Sequence, residues 1–174
     1  MRTFNLFNPI LYNNLKIYTL ILIPAIISVI WHIKNNQLPI ADSIDYMWPA
    51  LHIYSDITKM NLYEIIHGFY FERGWRPTIF HLFYVPFLII SNGSLLFSIA
   101  SVHTIFTLLS TIFLFKILKK RIKVILAALS ACLLSISSTI LFGGVLVPGF
   151  TEVAFVSVFL GIIFFFIERQ YIFT

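Results

Sequence analysis

The chain has 174 residues, of which 59% are hydrophobic and only 11% are charged, and its formal net charge is +5. A soluble domain carries about 25% charged residues and leaves much of its surface wet, so a water-borne fold of this length could not hide 19 phenylalanines and their aliphatic neighbours. The basic excess is read as cations held beside membrane spans, not as a nucleic-acid surface, and the single cysteine, Cys132, excludes an intrachain disulfide.

The first apolar run covers 17–33. Arg2 and Lys16 precede it, but Lys34-Asn35-Asn36-Gln37 follows where a cleavage site would need small residues, so a retained signal anchor is expected. A bilayer-spanning helix needs about 20 apolar residues. Three further runs come near that length, at 95–115, 124–142 and 150–167. The expected fold class is all-α, a polytopic membrane helical bundle. It has four transmembrane helices, with two or three interfacial helices in a first outer loop over 42–90.

The segment 34–77 is the long polar stretch. Within it, 42–59 has helical spacing, with Met47, Leu51 and Tyr54 on one face and Asp45, His52, Asp56 and Lys59 elsewhere. That pattern suits an amphipathic helix lying on the bilayer surface. The stretch 62–70 is similar, with aromatics at Tyr63, Phe69 and Tyr70, and Gly74 and Pro77 then punctuate the chain. The apolar run 78–90 is short and interrupted by Pro86, as expected of a segment that lies in the interface or re-enters.

Charge arbitrates the topology. If 78–90 does not span, Arg2, Lys16, Lys116, Lys119, Lys120, Arg121, Lys123 and Arg169 share the side of the N-terminus. Asp42, Asp45, Asp56, Glu64, Glu72 and Glu152 lie opposite. The positive-inside tendency then places both termini in the cytoplasm and the acids outside, in the inner or plasma membrane.

Three constellations on the outer side could carry chemistry. Ala41-Asp42-Ser43-Ile44-Asp45-Tyr46 puts two carboxylates three residues apart on one helical face, able to hold a divalent cation or to supply a general base. It reads equally as a helix N-cap with favourable dipole charge. Glu72-Arg73-Gly74-Trp75-Arg76-Pro77 offers guanidinium forks suited to phosphate, or an interfacial Arg/Trp anchor. Glu152, after the turn 143–151, is either an acid at the membrane edge or a carboxylate at a helix N-terminus. The five histidines show no metal-ligand spacing, and His103 inside a span is read as packing or interhelical hydrogen bonding.

Together these features resemble the N-terminal part of the polytopic C-type glycosyltransferases that use polyprenyl-phosphate-linked sugars, including the protein mannosyltransferases and the aminoarabinose transferases. Asp42-Ser43-x-x-Tyr46-x-x-x-Ala50 is similar to the family's Asp-containing first-loop motif. Arg76-Pro77-Thr78-Ile79-Phe80 resembles its basic-Pro-Pro segment, with Thr78 in place of the second proline, and Glu152 resembles the later outer acid.

The resemblance implies transfer of a sugar from a lipid-phosphate donor to an acceptor at the outer face. Asp42, with Asp45 in reserve and Glu152 assisting, would be the catalytic acids. Arg73, Arg76 and Tyr46 would bind substrate, and Asp42 and Glu152 would hold a divalent cation, Mg or Mn, where one is used. Family members are much longer, so a partial module is expected, completed by a further protein segment or subunit. The alternative from another class is a non-catalytic multi-pass membrane subunit, a transporter or assembly component.

Overall fold

The computed structural model describes residues 9–35, 42–70, 82–137 and 152–172; for 9–13, 42–46, 68–70, 152–153 and 170–172 only the backbone is described. All regular structure among these residues is helical. The elements are α1 Pro9–Lys34, α2 Asp42–Thr58, α3 Leu62–Tyr70, α4 Val85–Ile90, α5 Leu95–Leu118, α6 Val124–Ile136 and α7 Glu152–Ile172. Two stretches are long and apolar enough to cross a bilayer: Asn14–Lys34 within α1, and the whole of α5. At 1.5 Å per residue, the 24 residues of α5 reach about 36 Å, more than a hydrocarbon core of roughly 30 Å requires. Of the run expected at 124–142, Val124–Ile136 is helical, and 138–142 lies outside the described residues.

Pairs between helices fix their directions. Near the end of α1, Ser28 and His32 meet Thr104 and His103 in the first half of α5. Near its start, Leu15 and Lys16 lie beside Ile125 at the head of α6. Hence α1 runs antiparallel to α5, and α5 and α6 form a hairpin. Along α7, Gly161 faces Phe113, Phe164 lies under the Lys116 ammonium, and Glu168 pairs with Lys120 at 2.6 Å. Both sets of numbers rise together, so α7 runs parallel to α5. The end of α1 and the starts of α5 and α7 therefore share one end of the bundle, the upper end. Segment 36–94 leaves and returns at that same end.

Between α1, α5, α6 and α7 much of the packing rests on small residues and hydroxyls. The interior encloses Ser28, Ser98, Thr107, Ser110, Thr111, Ser135 and Ser157 with Ala127, Ala128 and Ala131. The exterior displays Ile26, Ile30, Ile33, Leu129, Leu133, Phe155, Phe159, Ile162, Phe165 and Phe166. Small residues admit the near approach of helices and hydroxyls bond across them, a mode of packing common among membrane helices. Thr111 Oγ1 lies 2.8 Å from the Thr107 carbonyl and 2.8 Å from Ser135 Oγ. One hydroxyl has one proton, so the carbonyl takes it and Ser135 donates to Thr111. On α7 the inward residues Ala154, Ser157, Gly161 and Phe164 recur every three or four positions, and a Cβ at Gly161 would stand 3.2 Å from the Phe113 ring.

At the upper end, α2 and α4 cover one flank of α5. Met47, Ala50 and Ile53 join Tyr84, Val85, Leu88, Ile99, Val102, Phe106 and Ala154 in one buried cluster, with Leu51 and Tyr54 packed against it. The stripe expected on the bilayer surface is thus taken up by protein, because α4 and α5 present a complementary apolar wall. Leu62, Tyr63 and Ile66 of α3 are the residues left exposed. The six residues of α4 reach about 9 Å, too short to span, and 78–81 lies outside the described residues.

α4 ends in a Schellman motif. Gly93 N–H donates to the Leu88 carbonyl at 2.8 Å and Asn92 N–H to that of Ile89 at 3.3 Å, with φ +53° at Asn92 and +88° at Gly93. Ser94 then caps α5 by accepting from Phe97 N–H at 3.4 Å.

Candidate functional site

Asp42 is the first residue of α2, with Asp45 and Tyr46 in its next turn, and Glu152 is the first residue of α7. Their side chains lie outside the described residues, as do Arg73 and Arg76 altogether, so no distance among these groups is drawn. What the backbone fixes is where the helix starts go. Met47, five residues into α2, and Ala154, two residues into α7, belong to the same buried cluster around the upper half of α5. The acid-bearing first turns of α2 and α7 are thereby tied to one end of one helix. A bundle could as easily have sent them to opposite ends.

Local chemistry at these starts is specific. Each helix N-terminus presents unbonded N–H groups and a partial positive charge, which favours a carboxylate or a phosphate beside it. Pro49 has no amide hydrogen, so the Asp45 carbonyl receives no i+4 helix bond from it. Among the described residues no group of three or more His, Cys, Asp or Glu gathers as a metal site.

Further along α2, Trp48 is exposed and meets His52 edge to face, with centroids 4.9 Å apart. The start of α3 is capped by Asn61, whose side-chain oxygen accepts from Glu64 N–H at 3.3 Å. Trp48, His52 and Asn61 are all exposed.

A second polar constellation was not singled out by spacing. His32 and His103 approach with ring centroids 5.5 Å apart, one from α1 and one from α5. Thr104 Oγ1 donates to Ser28 Oγ at 3.3 Å beside them. Seventy-one positions separate the two histidines in sequence, so no local motif could have announced the pair; the polar positions of α1 and α5 were the only signal. His103 lies within its span but close to the upper end, since its partner His32 is two residues from the end of α1.

At the opposite end, the basic stretch 116–123 is partly consumed internally. Lys120 is paired with Glu168, and the Lys116 and Lys119 ammoniums lie 5.0 and 5.7 Å from the centroids of Phe164 and Phe115. Arg121 and Lys123 remain exposed.

No protein-family model, no curated protein and no solved structure matches the chain.

Proposed function

We propose that the chain is a multi-pass protein of the inner or plasma membrane, with four spans, both termini cytoplasmic and the upper end outside. Its outer face is a glycosyltransferase module that passes a sugar from a polyprenyl-phosphate donor to an acceptor. The observation that carries this reading is the gathering of the acid-headed starts of α2 and α7 at one end of α5. The exposed phenylalanines of α7 support the membrane placement, because such a face needs a hydrocarbon neighbour.

The chemistry follows from the residue types. Asp42, assisted by Glu152 and with Asp45 in reserve, deprotonates the acceptor hydroxyl; where a divalent cation is used, Asp42 and Glu152 would hold it and it would supply Lewis acidity. Arg73 and Arg76 meet the charge that develops on the departing lipid phosphate, where a fixed donor is worth most. Tyr46 lines the donor's approach. The dipoles of the helix starts act in the same sense as the arginines.

Two measurements test the reading. Single-cysteine labelling from either side of the membrane should place position 42 outside and position 119 inside. The same compartment for both refutes the topology. Asp42→Asn should lose transfer while still inserting, and full transfer in that variant refutes the assigned role.

A further inference from the structure

At the lower end of the bundle, opposite the acid-headed helix starts, a cleft of about 380 Å³ opens between α1 and the head of α6. Leu15, Lys16, Thr19, Leu20 and Ile125 line it, and Lys123 stands two residues before Ile125. We propose that this cleft seats the head of an anionic glycerophospholipid from the leaflet at that end, with Lys16 and Lys123 on its phosphate. The inference rests on the membrane placement above and is independent of the transferase chemistry.

Charge selects the sign of the ligand. Lys16, Lys119, Arg121, Lys123 and Arg169 are all exposed at this end. Its one acid among the described residues, Glu168, binds Lys120 at 2.6 Å, and Arg121 and Lys123 have no ion pair among the described residues. Each Lys or Arg beside a bilayer surface strengthens the hold on an anionic lipid about five-fold.

Depth selects a headgroup. Lys16 and Lys34 both belong to α1, and the rise between them is about 27 Å, close to a hydrocarbon core of roughly 30 Å. With Lys34 at one interface, Lys16 stands at the other.

The neighbouring surface selects an amphiphile. Val124, Ile125 and Leu126 follow Lys123 directly and are 47%, 46% and 50% exposed. A soluble phosphate or an acidic peptide meets the cations and leaves these side chains bare, whereas a lipid covers both. At roughly 30 Å³ per non-hydrogen atom, the share of a water molecule in the liquid, the cleft takes about a dozen such atoms. That is the size of a glycerophosphate unit, and the acyl chains then lie along the apolar surface above it.

The test uses the full chain in phosphatidylcholine vesicles doped with a photoreactive lipid, either phosphatidylglycerol or phosphatidylcholine. Both probes carry a diazirine near the ester of one acyl chain, and adducts are mapped by peptide mass spectrometry. Labelling at 15–20 and 121–126 should be more than ten-fold higher with the phosphatidylglycerol probe, while the exposed phenylalanines of α7 label equally with both. Lys16→Gln and Lys123→Gln should each lower the excess about five-fold. Thr19→Phe fills the cleft without touching a charge and should remove the excess, and Lys34→Gln should leave it unchanged.

Equal labelling by the two probes overturns the proposal. So does an excess indifferent to both lysine variants, or one that survives Thr19→Phe with flotation and helicity intact, which would mark a diffuse attraction and no seat. Displacement by equimolar glycerol 3-phosphate would make a free phosphate the ligand, and displacement by polyglutamate an acidic peptide; either overturns the lipid. A chain that fails to float with vesicles sinks the membrane placement itself, whereas a floating chain with equal labelling sinks only this inference.

Discussion

Replacing Gly93 with alanine should loosen the seating of α2 on the bundle. Two costs add at this position. Gly93 has φ +88°, in the half of backbone space where a Cβ costs an L-residue roughly 1–2 kcal/mol. The new Cβ would also stand 3.2 Å from Tyr54 Cε1 and 3.4 Å from Tyr54 Oη, so the ring must retreat by a few tenths of an ångström. Tyr54 is packed against the cluster that holds α2 to α4 and α5, so its retreat is transmitted to Met47, Ala50 and Ile53.

A total of about 2 kcal/mol is a change of roughly thirty-fold in a local opening equilibrium. Hydrogen exchange of the α2 amides, measured in detergent or nanodiscs, reads it directly. Exchange around 47–54 should accelerate about thirty-fold, while the middle of α5 stays protected. Gly93→Asn separates the two costs, because asparagine tolerates positive φ but still carries a Cβ. It should lie about 1 kcal/mol nearer the native chain than alanine. Unchanged α2 exchange in Gly93→Ala, or equal effects of alanine and asparagine, would refute the argument from backbone conformation.

Gly161→Leu should separate α7 from α5, destabilising the bundle by about 3 kcal/mol or more through overpacking at Phe113, and Phe113→Ala in the same chain should recover part of the loss; SDS titration of folded helicity measures both. Ser135→Ala removes a hydroxyl partner from Thr111, which keeps its bond to the Thr107 carbonyl, so the expected cost is only about 0.6 kcal/mol in the same titration, and a cost above 2 would contradict this accounting. The Lys120–Glu168 pair is 20% and 39% exposed, so Lys120→Ala should cost no more than about 1 kcal/mol and the difference should shrink as salt is raised. Met60, 89% exposed with φ +54° at the end of α2, invites Met60→Gly, which should raise the melting temperature through about 0.5–1 kcal/mol of relieved strain, whereas a lowered value would show that the Met60 side chain itself is a needed contact.

Several features were legible before any coordinates. The apolar runs at 17–33 and 95–115 announced α1 and α5 because length and composition alone make a helix that suits a bilayer. Met47, Leu51 and Tyr54 were rightly grouped on one face, since helical periodicity is written in the spacing. Their destination was not, because periodicity gives a face and says nothing of what covers it. Ile53, at the centre of the buried stripe, was missed for the same reason. The candidate acids Asp42 and Glu152 could be named as heads of helices, but nothing in their own neighbourhoods said that Met47 and Ala154 would join one buried cluster.

What the sequence determined by itself is the material: apolar runs that form the helices among the described residues, with six of its seven acids and eight of its 12 bases segregated along its length. Those properties are sums over neighbouring residues, and a chain cannot help displaying them. What only the tertiary structure decided is adjacency across the fold. His32 beside His103, Gly93 against Tyr54, Gly161 against Phe113, and two helix starts at one end of α5 each join residues far apart in the chain. The physical reason is that such contacts depend on helix direction and on the near approach that small residues allow, and both are settled only when all the helices pack together.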